Sequence, residues 1–88
     1  MHPSILLRRS QEARAIFGNL PDSSWYEWIA AGLMTPGVTI GARSVAWPDH
    51  ELQAIAAARI AGKSEDAIKA LVQDLVAARA TLGDKVAA

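Results

Sequence analysis

The side chains that could do chemistry in this 88-residue chain are few and widely separated. The two histidines, His2 and His50, have no carboxylate partner at the spacing of metal ligands. The absence of cysteine excludes thiol catalysis, thiolate zinc sites and disulfides together. Gly41 and its neighbours lack the further glycines and the Lys-Ser/Thr pair of a phosphate-binding loop. The acids are scattered at predicted helix starts, where capping and the helix dipole account for them. We therefore predict a non-enzyme with no catalytic site, metal or cofactor.

Composition favours a small helical domain without a membrane partner. Eighteen residues are alanine, the best helix former, and only five are aromatic. Nine Lys and Arg balance nine Asp and Glu, so the chain lacks the overall positive field that attracts nucleic acid. No apolar run approaches the ~18 residues that span a bilayer. The N-terminal charges follow the apolar residues, the reverse of a secretory signal, so we expect a cytoplasmic protein.

Four helices are predicted from capping residues and apolar spacing. The first covers residues 10–17, and the second covers residues 20–32 with Pro21 in its first turn. Two short helices joined by a Gly-containing turn form a helix-turn-helix arrangement. The third helix spans residues 48–62, and the last spans residues 64–83 and ends at its glycine.

A small β-hairpin is predicted between the two helix pairs. Alternating triplets at 38–40 and 45–47 flank a four-residue bridge that contains glycine, with Arg43 at the tip. Trp28 falls off the apolar stripe of the second helix, so we expect it to cover either the hairpin or a partner. The hairpin side chains expected to face the core are Val38, Ile40, Val45 and Trp47.

Apolar residues of the last helix recur at spacings of 3, 4, 3 and 4, which is a heptad-like seam. A chain this short buries only about 60–65% of its unfolded surface, so association would help it. We expect the seam to form a homo-oligomer interface, with packing on its own domain as the alternative. The chain then divides into residues 1–62 and a C-terminal helix in residues 63–88. The seam residues are Ile68, Leu71, Leu75, Ala78 and Leu82.

Particular residues between Leu6 and about Ile60 carry a resemblance to a known family. They are the Leu-Arg pair at 7–8, the Ser-Ser-Trp-Tyr run that leads to Ala-Ala-Gly-Leu at 30–33, the segment 38–47 with its Gly-x-Arg-Ser turn and final Trp, Pro-Asp-His-Glu-Leu at 48–52, and the stretch 58–66. The chain resembles the AlpA family of phage and mobile-element regulators, which are related to MerR DNA-binding heads and phage excisionases. The resemblance implies a mainly α fold with a small β-hairpin: a winged helix-turn-helix plus a C-terminal helix.

The same resemblance implies sequence-specific binding of double-stranded DNA, at an operator or an attachment site. The protein would be a transcriptional regulator, or an excisionase that bends DNA for an integrase. The second helix would enter the major groove and the hairpin would reach phosphate or the minor groove, while Arg8 matches a structural position. The DNA-contact residues implied are Arg9 and Arg14 beside the first helix, Asp22, Ser23, Ser24 and Glu27 on the second, and Arg43 and Ser44 on the hairpin.

The charges of the second helix depart from the family pattern. Related proteins carry basic residues where this chain has Asp22, Glu27, Ala30 and Ala31, so this helix has two acids and no base. Because phosphate neutralisation supplies most non-specific affinity, we expect one copy to bind DNA weakly and assembly to compensate by avidity. Ser23 and Ser24 of the second helix could equally act as helix caps only. The alternative function is an oligomeric protein-interaction module with weak or no DNA binding.

Overall fold

The computed structural model describes the backbone of residues 5–87 and the side chains of residues 5–82. Within that range the chain is mainly helical and carries one small antiparallel sheet, as predicted. The helices are α1 (Ser10–Ile16), α2 (Asp22–Ala30), α3 (Asp49–Ile60) and α4 (Glu65–Ala87). The strands are β1 (Leu7–Arg8), β2 (Val38–Gly41) and β3 (Ser44–Pro48). No helix in this range is both long enough and apolar enough to cross a bilayer.

The turn between α1 and α2 is fixed by residues that tolerate unusual backbone angles. Gly18 and Asn19 have φ values of +78° and +62°, a left-handed conformation that glycine and asparagine adopt most readily. Pro21 follows with an extended backbone and is the N-cap of α2, one position before the first turn in which we predicted it. The five residues 17–21 therefore form a tight turn between α1 and α2.

The sheet has strand order β1-β3-β2, with β3 antiparallel to both neighbours. The hairpin of β2 and β3 lies where the sequence predicts it. β1 was not predicted, because two residues carry no periodicity and their pairing with Trp47 and Pro48 is a long-range contact. The backbone N–H of Asp49 also donates to the carbonyl of Leu6 at 2.7 Å, which ties the N-terminal strand to the start of α3.

Burial of the hairpin agrees with the prediction at only one of its four positions. Trp47 is 1% exposed, whereas Val45 and Ile40 are 40% and 47% exposed and Val38 is half-buried. Alternation assigns Val45 and Trp47 to one face of the strand, as observed, but does not tell how far along β3 the helices cover that face. Ala46, on the opposite face, is fully buried, so the end of β3 is covered on both sides.

Aromatic rings join the helices to the sheet. The Trp25 ring lies 5.9 Å from Phe17 and 5.4 Å from Trp47, measured between ring centroids. The Trp47 indole N–H donates to the carbonyl of Thr35 at 2.9 Å. Trp28 contacts Phe17 at 5.6 Å and lies 3.8 Å beneath the guanidinium of Arg59. Trp28 therefore packs on α1 and α3 of its own chain and not on the hairpin.

The last helix shares the core of the rest of the chain. Ile68 and Val72 are 3% and 6% exposed and belong to one hydrophobic cluster with Leu52 and Ile55 of α3. The C-terminal helix thus packs on the preceding part of the chain, and the division after residue 62 stays a prediction. The helix also runs through Gly83, where we predicted its end.

One buried ion pair holds α4 against α3. Glu51 is fully buried, and its carboxylate accepts from Arg79 Nε at 2.8 Å and from Arg79 Nη2 at 2.7 Å. The same Nη2 donates to the carbonyl of Pro36, just ahead of β2, at 2.8 Å. We attributed Glu51 to the dipole of its helix start; the structure adds a partner 28 residues away.

Candidate functional site

A groove of about 500 Å³ opens between the start of α1, the first two turns of α2, and β3 with its hairpin turn. Four of the eight predicted DNA-contact residues line it, namely Arg9, Arg14, Asp22 and Arg43. Arg9 is the N-cap of α1, the turn between α1 and α2 brings Asp22 to Arg14, and the β2–β3 turn carries Arg43. The complete lining is Arg9, Ser10, Gln11, Arg14, Asp22, Tyr26, Arg43, Val45 and Trp47.

Arg14 has a structural role at one wall of the groove. Its Nε donates to Ser10 Oγ at 3.2 Å, and its Nη1 donates to the carbonyl of Leu20 at 3.3 Å. The same Nε lies 3.5 Å from Asp22 Oδ1, so the guanidinium spans the turn from α1 to α2. Asp22 has its negative charge balanced by Arg14, and it stands at the N-terminus of α2, where the dipole favours an acid.

Arg9 and Arg43 are exposed and form no ion pair within the described part of the chain. The backbone N–H of Arg9 donates to Glu12 Oε1 at 3.2 Å, which fixes the entry into α1 and leaves the Arg9 guanidinium outside that bond. Arg43 lies in the two-residue connection between the paired Gly41 and Ser44. With three arginines and one aspartate, the groove carries a net charge of +2 although the whole chain is neutral.

The other predicted contact residues of α2 do not line the groove. Ser23 and Glu27 are exposed and Ser24 is half-buried. Successive helix residues are about 100° apart, so the stripe that holds Asp22 and Tyr26 excludes them. Neither serine is the N-cap of α2, because Pro21 is. Ser44 is half-buried in β3 and also lies off the groove.

The Arg8 guanidinium contacts the start of α3. Its Nε donates to Asp49 Oδ1 at 3.0 Å, and its Nη1 lies 3.7 Å from Glu12 Oε2. The hydrogen bond and the charge of Asp49 raise the pKa of Arg8 above its ordinary value, with a smaller effect from Glu12. Arg8 therefore braces β1 against α3, in agreement with the structural position that the resemblance implies.

Five residues of the groove lining were not predicted as site residues, namely Ser10, Gln11, Tyr26, Val45 and Trp47. Tyr26 lies on α2 and is 52% exposed. Its position four residues after Asp22 is the signal that could have identified it, because residues i and i+4 share a helix face. Val45 was assigned to the core, and nothing in the sequence marks where the cover of β3 ends.

The first residue of the α4 seam packs against the core of the same chain. Ile68 is buried, and Leu71 and Leu75 are half-buried against the same core. Leu82 is half-buried as well. This packing is the alternative left open above, and the homo-oligomer interface stays a prediction.

No group of three or more His, Cys, Asp or Glu side chains that could hold a metal occurs among the described residues; His2 lies outside them. No protein-family model, curated protein or solved structure matches the chain. The resemblance to the AlpA family therefore stays a prediction, carried by the motifs quoted above.

Proposed function

We propose that the chain binds double-stranded DNA in a sequence-specific manner as a winged helix-turn-helix protein. In this proposal α1 and α2 form the helix-turn-helix, the β2–β3 hairpin is the wing, and the biological role is that of a mobile-element regulator or excisionase. The observation that carries the proposal is the exposed pair Arg9 and Arg43, which line one groove without a carboxylate partner among the described residues.

The charge distribution supports this proposal despite the neutral composition. Arg14 balances Asp22, so the start of α2 is not a repulsive acidic end. Glu27 is the remaining acid of α2, and it lies off the groove. Backbone phosphates would meet Arg9 and Arg43, which reach the duplex from different elements and would fix its position.

The salt dependence follows from the number of available guanidinium groups. Each neutralised phosphate contributes about −0.9 to the slope of log K against log salt concentration, so two contacts give a slope of about −2 per copy. We expect measurable binding at low salt and a loss of only about tenfold between 50 and 200 mM salt, because few phosphates are neutralised. Assembly of several copies on adjacent sites would restore affinity through effective concentration.

The test is a fluorescence titration of labelled duplex DNA, taken upstream of the protein's own gene and from any neighbouring attachment site, at four or more salt concentrations. Arg43→Ala should weaken binding to all sequences alike and reduce the slope by about one. Lys63→Ala is the matched control, because it removes one exposed charge from the α3–α4 connection, which does not line the groove. No complex at low salt and high protein concentration would refute the proposal.

A protein-interaction module is the second candidate, favoured by three consecutive exposed apolar residues. Ile5, Leu6 and Leu7 are 40%, 54% and 46% exposed beside the edge of the sheet. Light scattering of the full chain tests self-association directly. A monomer mass at high concentration would remove the homo-oligomer from this proposal and from the avidity argument.

A further inference from the structure

Tyr26 and Val45 are the exposed apolar residues of the groove lining. Tyr26 is 52% exposed and Val45 is 40% exposed, and both line the groove together with Arg9 and Arg43. Single exposed apolar residues are ordinary on protein surfaces. Here two of them come from different elements, a helix and a strand, and converge on one concave surface. Burial of such a surface under an apolar group of a ligand is thermodynamically favourable.

The elements that carry the two side chains are anchored in the core. Tyr26 follows Trp25, which is fully buried and fixes the orientation of α2. Val45 shares its strand face with Trp47, which is 1% exposed. The Val45 Cγ1 lies so close to Gly37 that a β-carbon there would overlap it. The backbone positions of Tyr26 and Val45 in the groove are therefore fixed.

The composition of the groove narrows the class of ligand. Small-molecule sites are enclosed and mostly apolar, whereas this groove is open and carries three guanidinium groups. A ligand that suits it has anionic groups for the guanidinium groups and a small apolar group for Tyr26 and Val45. In the major groove of duplex DNA the one apolar group on a base edge is the 5-methyl of thymine. Deoxyribose is apolar too, but it carries no sequence information.

Resting on the DNA-binding function proposed above, we propose that Tyr26 and Val45 read the 5-methyl group of thymine. Arg9 and Arg43 bind the flanking phosphates and set the position of the duplex. The serines of α2 lie off the groove, so sequence preference comes first from apolar contact and not from hydroxyl groups. Tyr26 is then a specificity-determining residue of the site.

The test begins with a duplex selected by the full-length protein from a random library. Each thymine is then replaced in turn by deoxyuridine, which removes only the methyl group. We expect at least one replacement to weaken binding about fourfold, which corresponds to about 0.8 kcal/mol for one buried carbon. In Tyr26→Ala the thymine and deoxyuridine duplexes should bind equally. Tyr26→Phe keeps the ring and should keep the preference, which separates methyl contact from a hydroxyl–phosphate bond.

The matched control is Lys63→Ala, which removes an exposed side chain from the α3–α4 connection outside the groove and should retain the preference for thymine. Equal binding of thymine and deoxyuridine duplexes by the wild-type protein would overturn this inference while leaving DNA binding intact. A preference that survives Tyr26→Ala would overturn it as well. Failure to select any duplex would refute the proposed function itself. The wild-type comparison needs no variant, so it holds whatever the stability of the substituted proteins.

Discussion

Replacement of Arg79 by alanine should strongly destabilise the fold, because it leaves the buried Glu51 without a partner. The carboxylate is fully buried and receives two hydrogen bonds of 2.7 and 2.8 Å from the guanidinium. Arg79 also donates to the carbonyl of Pro36, but Pro36 is exposed, so water can replace that bond. The loss therefore lies mainly in the uncompensated carboxylate.

The expected magnitude is about 3–5 kcal/mol, the usual cost of removing one partner of a buried ion pair. The Arg79 side chain is 22% exposed, which is too little for solvent to screen the pair as at an open surface. Stability of about 0.05–0.15 kcal/mol per residue gives roughly 4–13 kcal/mol for 88 residues. The substitution thus removes a large share of the total. The stability of Arg79→Lys should lie between those of the wild type and Arg79→Ala, since an ammonium keeps the charge but cannot make the paired hydrogen bonds.

The assay is urea denaturation followed by tryptophan fluorescence, because Trp25 and Trp47 are buried and become exposed on unfolding. Lys69→Ala is the matched control, because Lys69 is a cation of the same helix and forms no ion pair among the described residues. Its substitution should change the free energy of unfolding by less than about 0.5 kcal/mol. The double variant Glu51→Gln with Arg79→Ala should recover part of the loss, because it removes the buried charge. An Arg79→Ala protein within about 1 kcal/mol of wild type would refute this reasoning.

Three further perturbations test other parts of the fold. Gly37→Ala places a β-carbon against Val45 and should lower the free energy of unfolding, measured by urea denaturation, by about 1–3 kcal/mol. Gly41→Ala meets only an ordinary van der Waals contact and should have a much smaller effect. Equal effects of the two substitutions would contradict this. A chain that ends at Gly62 loses the core residues of α4 and should show no cooperative unfolding transition by circular dichroism; a sharp transition would show an independent domain. Arg14→Ala should lower stability by about 1–2 kcal/mol through its lost hydrogen bonds, measured by urea denaturation, and an unchanged midpoint would remove its structural role.

The helices and the hairpin could be predicted because their signals are local. Proline, glycine and acidic residues mark the starts and ends, and apolar spacing marks the faces. The short strand β1 could not be found this way, since Leu7 and Arg8 are defined as a strand only by partners about forty residues later. The end of α4 was predicted wrongly at Gly83, where one glycine costs a helix only about 1 kcal/mol.

The arginines of the candidate site could be named from the sequence, but which of them are held by other side chains could not. Arg9, Arg14 and Arg43 all line the groove, and their contact with DNA stays a prediction. Only the structure distinguishes Arg14, which is held by Ser10 and Asp22, from the other two. Pairing of this kind depends on side-chain geometry across a turn, and no spacing rule reports it. The neutral composition therefore concealed a groove of net positive charge.

The pairing of β1 with β3 also has a kinetic consequence. Leu7 pairs with Pro48, and Arg8 reaches Asp49 across 41 positions of sequence, whereas α1 and α2 meet across a short turn. Loop-closure entropy grows with the length of the loop, so we expect the contacts across the α1–α2 turn to form early and β1 to join late. Contacts that form late mainly control the unfolding rate. Leu7 and Arg8 would then have little effect on the folding rate and would mainly slow unfolding.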